Sequence, residues 1–451
     1  MRALLVNPWI YDFAAYDLWS KPLGLLRIAT HLKRIGYEIR LIDCLDRLHP
    51  ALLSSGLRLP SSTEYGSGQY YAEEIEKPAL FKDLPRKFKR YGLPRSLFES
   101  ILAKEPIPDI ILVTTGMTYW YPAYIDIIKL LKGRFPSTPL VLGGNYPNIC
   151  YEHAKATSGA DHVYRGNDIV EIGRLVQKLA GAGSDPGSNP GSDPQTIDSG
   201  YIPSAYDLYP HLEYATLKTS SGCPFKCTYC GWHLIDGAFA QEDAPAVAEE
   251  IERLYKDRAI RNFAFYDDAL IYKPDGHIAN ILETLIRKKV RASFHTPNGL
   301  HNRFMTGDIA KLFKAAGFVK PRLALETSSA RRQAETGAKT TNEEFLHAVG
   351  YLKKAGYDTR EIACYILIGL PGQAVQEIRE SVEFAVSHGV RIFLEEYSPI
   401  PGTPDYKKSG LADGADPLLH NNSAFPIYNI QGYNMLRKLK TWTHDLNKRA
   451  S

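Results

Sequence analysis

The sequence predicts an α/β protein in which a doubly wound parallel sheet is followed by a partial barrel of six β/α units and a short helical tail. Strand-length apolar runs such as IILV alternate with helical patterns before residue 180, and six further strand–helix repeats follow residue 200. Between them, the Gly-, Ser-, Pro- and Asp-rich stretch GAGSDPGSNPGSDPQ is typical of a flexible linker. We therefore expect domains at 1–180 and 201–405, a linker at 181–200 and a helical extension at 406–451.

The first domain is predicted to hold five parallel strands with helices between them, because its strands are apolar on both faces. The predicted strands are Ala3–Asn7, Glu38–Asp43, Asp109–Thr114, Leu140–Gly143 and His162–Tyr164. The predicted helices are Leu23–Arg34, Ala123–Arg134, Asn148–Thr157 and Ile169–Leu179. Ligands of such sheets bind at the carboxyl ends of the strands. A polar and aromatic insertion at 44–106 breaks the pattern, and insertions of this length are commonly lids or mobile segments.

The second domain repeats a strand and a helix six times, which is too few units for a closed eight-stranded barrel. The predicted strands are Tyr214–Thr219, Asn262–Tyr266, Arg291–Thr296, Arg322–Glu326, Ile362–Ile368 and Arg391–Glu395. The helices are expected to begin near Ala244, Asp275, Gly307, Thr341 and Val375. Thr341 and Glu344 fit a capping box, while Gly356 and Gly389 fit helix C-termini. We expect an open barrel with its site at the C-terminal ends of the strands, and a tail helix whose apolar stripe packs on it.

Length and composition exclude several classes of protein. With 451 residues, 44% of them apolar, the chain can fill more than one core. Its apolar runs are all much shorter than ~20 residues, so no membrane partner is expected, and MRALLVNPW is typical of a first strand rather than a signal peptide. A net charge of +4 argues against a dedicated nucleic-acid binder.

Six cysteines are too few and too clustered for a disulfide framework. Cys223, Cys227 and Cys230 all lie in SSGCPFKCTYCGWH, after the first barrel strand. In a chain without a signal peptide such a cluster is typical of a metal site in a reducing compartment, so a cytoplasmic protein is expected. A 4Fe–4S cluster normally takes four cysteines, so three would leave one iron open to a small molecule.

Two other metal sites compete with this interpretation. A structural zinc site would use His233 as the fourth ligand, although zinc ligands usually come as two separated pairs. An electron-transfer cluster would recruit a distant fourth cysteine such as Cys364.

The motifs of the second domain resemble the radical S-adenosylmethionine (SAM) family. They are the Cx3Cx2C loop with Tyr229 before its last cysteine, then FAFYDDAL (263–270), LALETSS (323–329), ILIGLPGQ (366–373) and SPIPGTPDY (398–406), in that order. The resemblance covers 200–405 and points to the branch with a cobalamin-binding domain. It implies that a 4Fe–4S cluster on Cys223, Cys227 and Cys230 cleaves SAM to a 5′-deoxyadenosyl radical, with electrons from a donor such as flavodoxin or ferredoxin.

The resemblance also implies which residues bind SAM. Tyr229 would pack near the adenine, and Gly369 would allow the adenine close to the backbone. Glu326 is the candidate for the ribose or the amine. Asp267 and Asp268 stand where other branches carry a Gly-Gly-Glu run that contacts the methionine amine, so either they bind SAM or they cap the end of a strand.

Residues 1–180 resemble the Rossmann-like cobalamin-binding domain of the same branch. The matching pieces are PLGLLRIATHL, VTTGMTYW, LGGNYP and VYRGN. Gly143 and Gly144 would admit the nucleotide tail of cobalamin, and Thr115 and Thr118 would bond it. The sequence lacks an Asp-x-His-x-x-Gly run, so no histidine ligand to cobalt is predicted, and the domain could equally hold no cofactor.

The leading functional hypothesis is a cobalamin-dependent radical SAM methyltransferase, or a related C–H functionalising enzyme, acting on a small-molecule or peptide substrate. The alternative is a radical SAM enzyme without cobalamin that performs thiolation, cyclisation or rearrangement. Transfer-RNA methylthiotransferases fit less well, because the N-terminal half holds only Cys44 and Cys150. A non-catalytic iron–sulfur or zinc sensor would need a DNA-binding element, and the sequence shows no convincing helix-turn-helix.

Overall fold

The structure is a computed structural model that describes residues 1–181, 200–430 and 432–449. It forms two compact units. Unit 1 comprises residues 1–63, 67–77 and 87–212, and unit 2 comprises residues 64–66, 78–86 and 213–451, the latter within the described ranges. The predicted linker comprises residues 181–200, of which 182–199 lie outside the described residues. The 44–106 segment contributes to both units.

Unit 1 contains the predicted doubly wound sheet, with five parallel strands in the order β10-β9-β8-β1-β4. Its strands are β1 (Arg2–Asn7), β2 (Ile10–Asp12), β3 (Tyr16–Asp17), β4 (Glu38–Asp43), β5 (Gly68–Gln69), β6 (Ala72–Glu74), β7 (Lys89–Tyr91), β8 (Ile110–Val113), β9 (Leu140–Leu142) and β10 (His162–Val163). Its helices are α1 (Leu23–Arg34), α2 (Pro50–Leu53), α3 (Arg95–Lys104), α4 (Tyr121–Arg134), α5 (Asn145–Ile149), α6 (Tyr151–Thr157) and α7 (Ile169–Leu179). Apolar cores cover both faces, as fully apolar strands require.

The segment from 44 to 106 differs from the prediction at its end. Residues 95–104 form α3, and Phe98 and Leu102 are buried in one of the two cores of unit 1. This helix belongs to the layer that covers the sheet, so the insertion ends at Pro94, before α3 begins. In front of α3, the antiparallel strands β7 and β6 pair with β2, and β5 pairs with β3.

Unit 2 contains the predicted six barrel strands in two parallel sheets, β11-β14-β15 and β16-β17-β18. Its strands are β11 (Ala215–Leu217), β12 (Ser220–Ser221), β13 (Ala240–Gln241), β14 (Asn262–Phe265), β15 (Ser293–His295), β16 (Arg322–Glu326), β17 (Ala363–Ile368) and β18 (Arg391–Glu396). Its helices are α8 (Trp232–Ile235), α9 (Ala244–Asp257), α10 (Ile278–Arg287), α11 (Gly307–Ala316), α12 (Ala330–Glu335), α13 (Asn342–Lys354), α14 (Val375–Ser387), α15 (Pro404–Lys408), α16 (Phe425–Asn429) and α17 (Tyr433–Arg449). Single bridges, Phe294 to Phe318 and Leu300 to Leu323, join the two sheets.

Local signals in unit 2 are confirmed. Thr341 and Glu344 form the predicted capping box at the start of α13. Gly356 and Gly389 have φ of 93° and 74°, the left-handed conformation expected after a helix. The tail helix α17 buries Leu436 and Leu439 and packs on α14, α16 and β18, as its apolar stripe predicted. Within the described residues, none of the helices combines the length and the apolarity that crossing a membrane requires.

A buried ion pair between α12 and α14 supports the loops at the ends of β16 and β17. Arg332 Nη2 donates to Glu377 Oε2 at 3.0 Å and to the carbonyl of Gly372 at 3.1 Å. The Arg332 and Glu377 side chains are only 7% and 10% exposed. Both loops therefore depend on one pair of charges that solvent barely reaches.

Glu377→Ala is expected to destabilise the protein by about 3–5 kcal/mol, because it leaves the Arg332 guanidinium buried and unpaired. Urea unfolding measures the effect. The matched control is Glu380→Ala, one turn later and exposed, which should cost about 0.5 kcal/mol or less. Equal unfolding midpoints for the two variants would contradict the assigned role of the pair.

Candidate active site

The three-cysteine loop begins directly after the first barrel strand, where the prediction placed it. β12 and β13 pair as an antiparallel ribbon, and the loop between them carries all three thiols. Gly222 has a φ of 67°, and a Cβ there would stand 2.7 Å from the carbonyl oxygen of Gly237. Only a glycine fits at position 222 of this ribbon. The loop that follows carries Cys223, Cys227 and Cys230 at the C-terminal end of β11.

The SPIPGTPDY segment supports this loop from its other side. Thr228 Oγ1 donates to Asp405 Oδ2 at 2.7 Å, and the Asp405 N–H donates to the Thr228 carbonyl at 3.1 Å. A Cβ on Gly231 would stand 2.8 Å from the Ile400 side chain. These contacts explain why a segment 170 residues downstream carries a motif of its own: it fixes the backbone between the second and third cysteines.

The three thiols influence one another and share a nearby cation. Burial raises the pKa of each thiol, to about 12 for Cys230, while the Lys339 ammonium lowers all three. All six cysteines are free thiols; Cys44 and Cys150 lie in unit 1, and Cys364 is buried in β17. Within residues 1–181, 200–430 and 432–449, no three His, Cys, Asp or Glu side chains are placed around one point as the ligands of a single metal ion would be.

Two neighbouring carboxyls at the end of β14 have different environments. Asp267 Oδ1 accepts hydrogen bonds from Thr219 N, Thr219 Oγ1 and Ser220 Oγ, at 2.6–2.9 Å, which ties β14 to the start of the cysteine loop. This is the strand-capping role that competed with SAM binding. Asp268 contacts Lys218 only at 3.6 Å, and burial raises its pKa to about 7. Among the described residues Oδ2 of each carboxyl is buried without a hydrogen bond, and Oδ2 of Asp268 is the atom that faces Lys218 Nζ across 3.6 Å.

Glu326 ends β16 in a strained conformation. Its φ of 64° is rare for a residue with a long side chain, and the register of β16 shifts just before it. The Glu326 carboxylate accepts a hydrogen bond from Lys339 Nζ at 2.8 Å, and both side chains are about 83–84% buried, with 16% and 17% exposed. Strain of this kind persists where surrounding structure holds a side chain for a function, so the prediction for Glu326 gains a physical argument.

Tyr229 and Gly369 lie closer to the protein's own tail than the resemblance implied. Tyr229 packs against Leu367, Leu370, Tyr397 and Phe425. Gly369 has a φ of 85°, and a Cβ there would meet Pro426 at 2.5 Å. The structure therefore gives this glycine a packing reason, and its predicted role toward adenine stays a prediction. Gln373 fixes the same loop, because its side chain bonds the backbone of residues 367, 369 and 370.

In unit 1 the residues predicted to hold cobalamin gather where β8 and β9 end. Thr115 Oγ1 donates to the Gly143 carbonyl at 2.8 Å and accepts from the Tyr146 N–H at 3.1 Å, so its hydroxyl joins the two loops. Thr118 is buried close by in sequence. A Cβ on Gly144 would meet the Thr115 backbone at 2.5 Å, whereas one on Gly143 would meet only Tyr164, at 3.9 Å. A Cβ at Gly143 would therefore meet open space, whereas a Cβ at Gly144 would clash with the Thr115 backbone.

Two residues of this site escaped the sequence argument. Lys339 follows α12 in a polar stretch and is typical there of a solvated surface. His301 follows the third barrel strand, is buried, and stacks on Phe225 of the cysteine loop with ring centroids 4.4 Å apart. The position of His301 just after a barrel strand could have marked it as a candidate site residue. For Lys339 the sequence gives no such signal, and only the fold brings it to the site.

The donor set fits the group that the fold implies. Three thiols with a lysine beside them suit an iron–sulfur cluster with one open position, and the buried carboxyl oxygens lie next to the same loop. Gly143 leaves room at the strand ends of unit 1, although histidine is absent from the motif there.

A family model matches part of unit 2. The model of the radical SAM superfamily matches residues 217–385. An uncharacterized methyltransferase, PH0819, of Pyrococcus horikoshii is 26% identical over 320 residues, covering 65% of this chain and 68% of that protein. Cytidylyl-2-hydroxyethylphosphonate methyltransferase of Streptomyces wedmorensis is 22% identical, covering 96% of this chain and 86% of its own.

Two solved structures share the fold. TsrM from Kitasatospora setae, a radical SAM methyltransferase with cobalamin and a 4Fe–4S cluster bound, covers 90% of this chain and 76% of its own with a TM-score of 0.64 at 15% identity. OxsB, a cobalamin-dependent SAM radical enzyme, covers 95% of this chain and 57% of its own with a TM-score of 0.58 at 14% identity. The predicted fold class, a doubly wound sheet followed by a partial barrel, is confirmed.

Proposed function

We propose that the chain is a member of the radical SAM superfamily, whose family model matches residues 217–385, and that it acts as a cobalamin-dependent methyltransferase or a closely related C–H functionalising enzyme. The observation that carries this proposal is the loop at the end of β11, which presents three free thiols beside the strained Glu326 and its partner Lys339. Methyltransferases among the relatives support the transfer chemistry.

Different residues of unit 2 are proposed to bind the cluster and the different groups of SAM. We assign Cys223, Cys227 and Cys230 to the cluster, Glu326 to the ribose or amine, and Asp268 to the amine, because its Oδ2 is buried without a hydrogen bond and contacts Lys218 only at 3.6 Å. Asp267 holds the loop in place. Tyr229 keeps its predicted place near the adenine, and Gly369 lies in the same loop region. The cluster supplies an electron for cleavage of SAM, and cobalamin would supply the methyl group.

In unit 1 we propose that the ends of β8 and β9 receive cobalamin, with Gly143 providing the space. Thr115, Thr118 and Gly144 shape the loops that border it. No histidine is assigned to cobalt. Residues 1–180 and 201–405 are the proposed functional domains, joined by the 181–200 linker and followed by the 406–451 extension. We also propose a reducing, cytoplasmic setting and a donor of flavodoxin or ferredoxin type.

Anaerobic reconstitution with and without cobalamin, followed by identification of the products of SAM, tests the proposal. A methyltransferase is expected to retain cobalamin and to release S-adenosylhomocysteine or 5′-deoxyadenosine with a methylated product. Cleavage of SAM without retention of cobalamin would favour the cobalamin-independent radical enzyme. Stoichiometric zinc in place of iron after anaerobic preparation would contradict both the cobalamin-dependent and the cobalamin-independent radical enzyme.

Lys339→Met is expected to weaken SAM binding about tenfold to a hundredfold, because a buried ammonium beside the thiols suits the SAM carboxylate and one charged hydrogen bond contributes about 1.5–3 kcal/mol. Equilibrium dialysis of the reconstituted protein measures the affinity. Lys311→Met on α11, 72% exposed, is the control and should bind SAM as the parent does. An unchanged affinity of Lys339→Met for SAM would contradict a role of Lys339 in SAM binding.

A further inference from the structure

The inner wall formed by β16, β17 and β18 carries a group of side chains that the proposed SAM site does not use. Residues that pair laterally in a parallel sheet share a face, and Tyr365 pairs with Phe393 while Leu367 pairs with Glu395. The Tyr365 hydroxyl donates to the carbonyl of Pro297, and a Cβ on Gly299 would touch the Tyr365 ring. Both partners follow β15 in the other sheet. This face of β17 and β18 therefore looks into the barrel.

Arg322 supplies a positive charge at this wall with most of its hydrogen-bonding capacity unused. Its guanidinium lies 4.7 Å from the centroid of the Phe393 ring and donates one hydrogen bond, 2.6 Å long, to the Tyr365 hydroxyl. Within the part of the chain that the structure describes, no carboxylate lies within 4.0 Å of it. A planar guanidinium held by an aromatic ring and with free N–H groups is suited to binding a carboxylate in bidentate fashion.

Glu395 supplies a negative charge on the same wall. Among the described residues it forms no hydrogen bond or ion pair, and the side chain is reached by solvent. Burial nevertheless is the largest cause that raises its pKa, to about 7, ahead of Glu396; Arg322 lowers the pKa and Glu326 raises it. A carboxyl that water reaches while protein surrounds it lies in a concave surface. Glu326 pairs with Ile366 of β17, and the next residue, Leu367, pairs with Glu395, so this concavity lies beside the strand end that carries Glu326.

An apolar surface lies between these two charges. Phe393 is 38% exposed, which is unusual for a large apolar side chain in the middle of a strand. The opposite faces of the same strands hold Leu323, Cys364 and Ile366, which are fully buried against helices. The exposed ring is therefore not part of a core, and it is available to an apolar group.

We infer that Arg322, Phe393 and Glu395 form the substrate subsite of this enzyme and that it takes a free apolar α-amino acid. The carboxylate would bind the Arg322 guanidinium, the ammonium would bind Glu395, and the side chain would lie on the Phe393 ring. This inference rests on the proposed function, because it assigns a substrate class to the cavity where the proposed chemistry would occur.

Equilibrium dialysis with L-phenylalanine as the probe tests the subsite, using the anaerobically reconstituted full chain with SAM present. The parent protein is expected to bind L-phenylalanine and to bind phenethylamine and 3-phenylpropionate at least about tenfold more weakly, since each lacks one charge. Glu395→Gln should lose the discrimination against 3-phenylpropionate. Arg322→Met should lose the discrimination against phenethylamine, and Arg322→Lys should recover part of it.

Glu396→Gln is the matched control, because Glu396 is the next residue of the same strand and pairs with Lys440. It should bind all three compounds as the parent does. Iron and sulfide content checks that every variant is folded and loaded. The inference is overturned if the parent does not bind L-phenylalanine, if the single-charge analogues bind equally well, or if Glu395→Gln and Arg322→Met keep their discrimination. SAM cleavage by the parent distinguishes failure of the subsite from failure of the proposed function. If the parent cleaves SAM but does not bind L-phenylalanine, only the subsite is overturned. If the parent does not cleave SAM, the proposed function is overturned.

Discussion

Replacing any one of Cys223, Cys227 or Cys230 with Ala is expected to abolish both iron binding and the formation of 5′-deoxyadenosine. A cluster that already has one iron without a protein ligand cannot lose a second ligand and remain held, so the loss should be complete rather than graded. Iron and sulfide analysis after anaerobic reconstitution, together with chromatography of the nucleoside products, measures it.

The control variants lie outside the loop or at its edge. Cys150→Ala, Cys44→Ala and Cys364→Ala should leave iron content and cleavage intact, because these thiols lie outside the cysteine loop, two of them in unit 1 and one in β17. His233→Ala should also keep its iron, because the fourth position of the proposed cluster is reserved for SAM rather than for a protein ligand. Loss of iron in His233→Ala equal to that in the cysteine variants would replace the open cluster with a closed four-ligand site.

The sequence predicted those parts of the molecule that local patterns determine. Strand Glu38–Asp43 and helix Leu23–Arg34 appear with the predicted bounds, because a short run of alternating polar and apolar residues and a 3.6-residue periodicity are visible in any short window. The cysteine loop was predictable for the same reason, since its three cysteines lie close together in the sequence. The helix α3 was missed because polar residues on both sides merged it with the insertion.

Residues whose role depends on distant partners were beyond sequence reasoning. Lys339 gains its place only because the chain after α12 returns to Glu326, and nothing in its own neighbourhood in the sequence records that contact. Gly144 was predicted to admit the nucleotide tail of cobalamin; its positive φ and the adjacent Thr115 backbone also give it a structural role, which the sequence did not show, and its role toward a ligand stays a prediction. Gly369 also has a structural reason that the sequence did not show, because a Cβ there would clash with Pro426 of the tail.

This difference between the two glycines of unit 1 determines the second large effect. Gly143→Val is expected to abolish retention of cobalamin while SAM cleavage by unit 2 continues. The added Cβ would meet only the Tyr164 ring, at 3.9 Å, so the sheet should tolerate the substitution, and we expect the two methyl groups of the valine to occupy space proposed for the cofactor. Absorbance of the protein after gel filtration with cobalamin, and 5′-deoxyadenosine or S-adenosylhomocysteine release, give the two readouts.

Two further variants make the result for Gly143→Val interpretable. Gly144→Val should lose cobalamin only together with the folding of unit 1, because its Cβ would stand 2.5 Å from the Thr115 carbonyl oxygen, and circular dichroism would report the damage. Cys227→Ala should show the converse pattern, with cobalamin retained and SAM cleavage lost. If Gly143→Val binds cobalamin as the parent does, the cofactor does not occupy the ends of β8 and β9. If the parent itself retains none at micromolar concentrations, the methyltransferase proposal gives way to a radical enzyme that works without cobalamin.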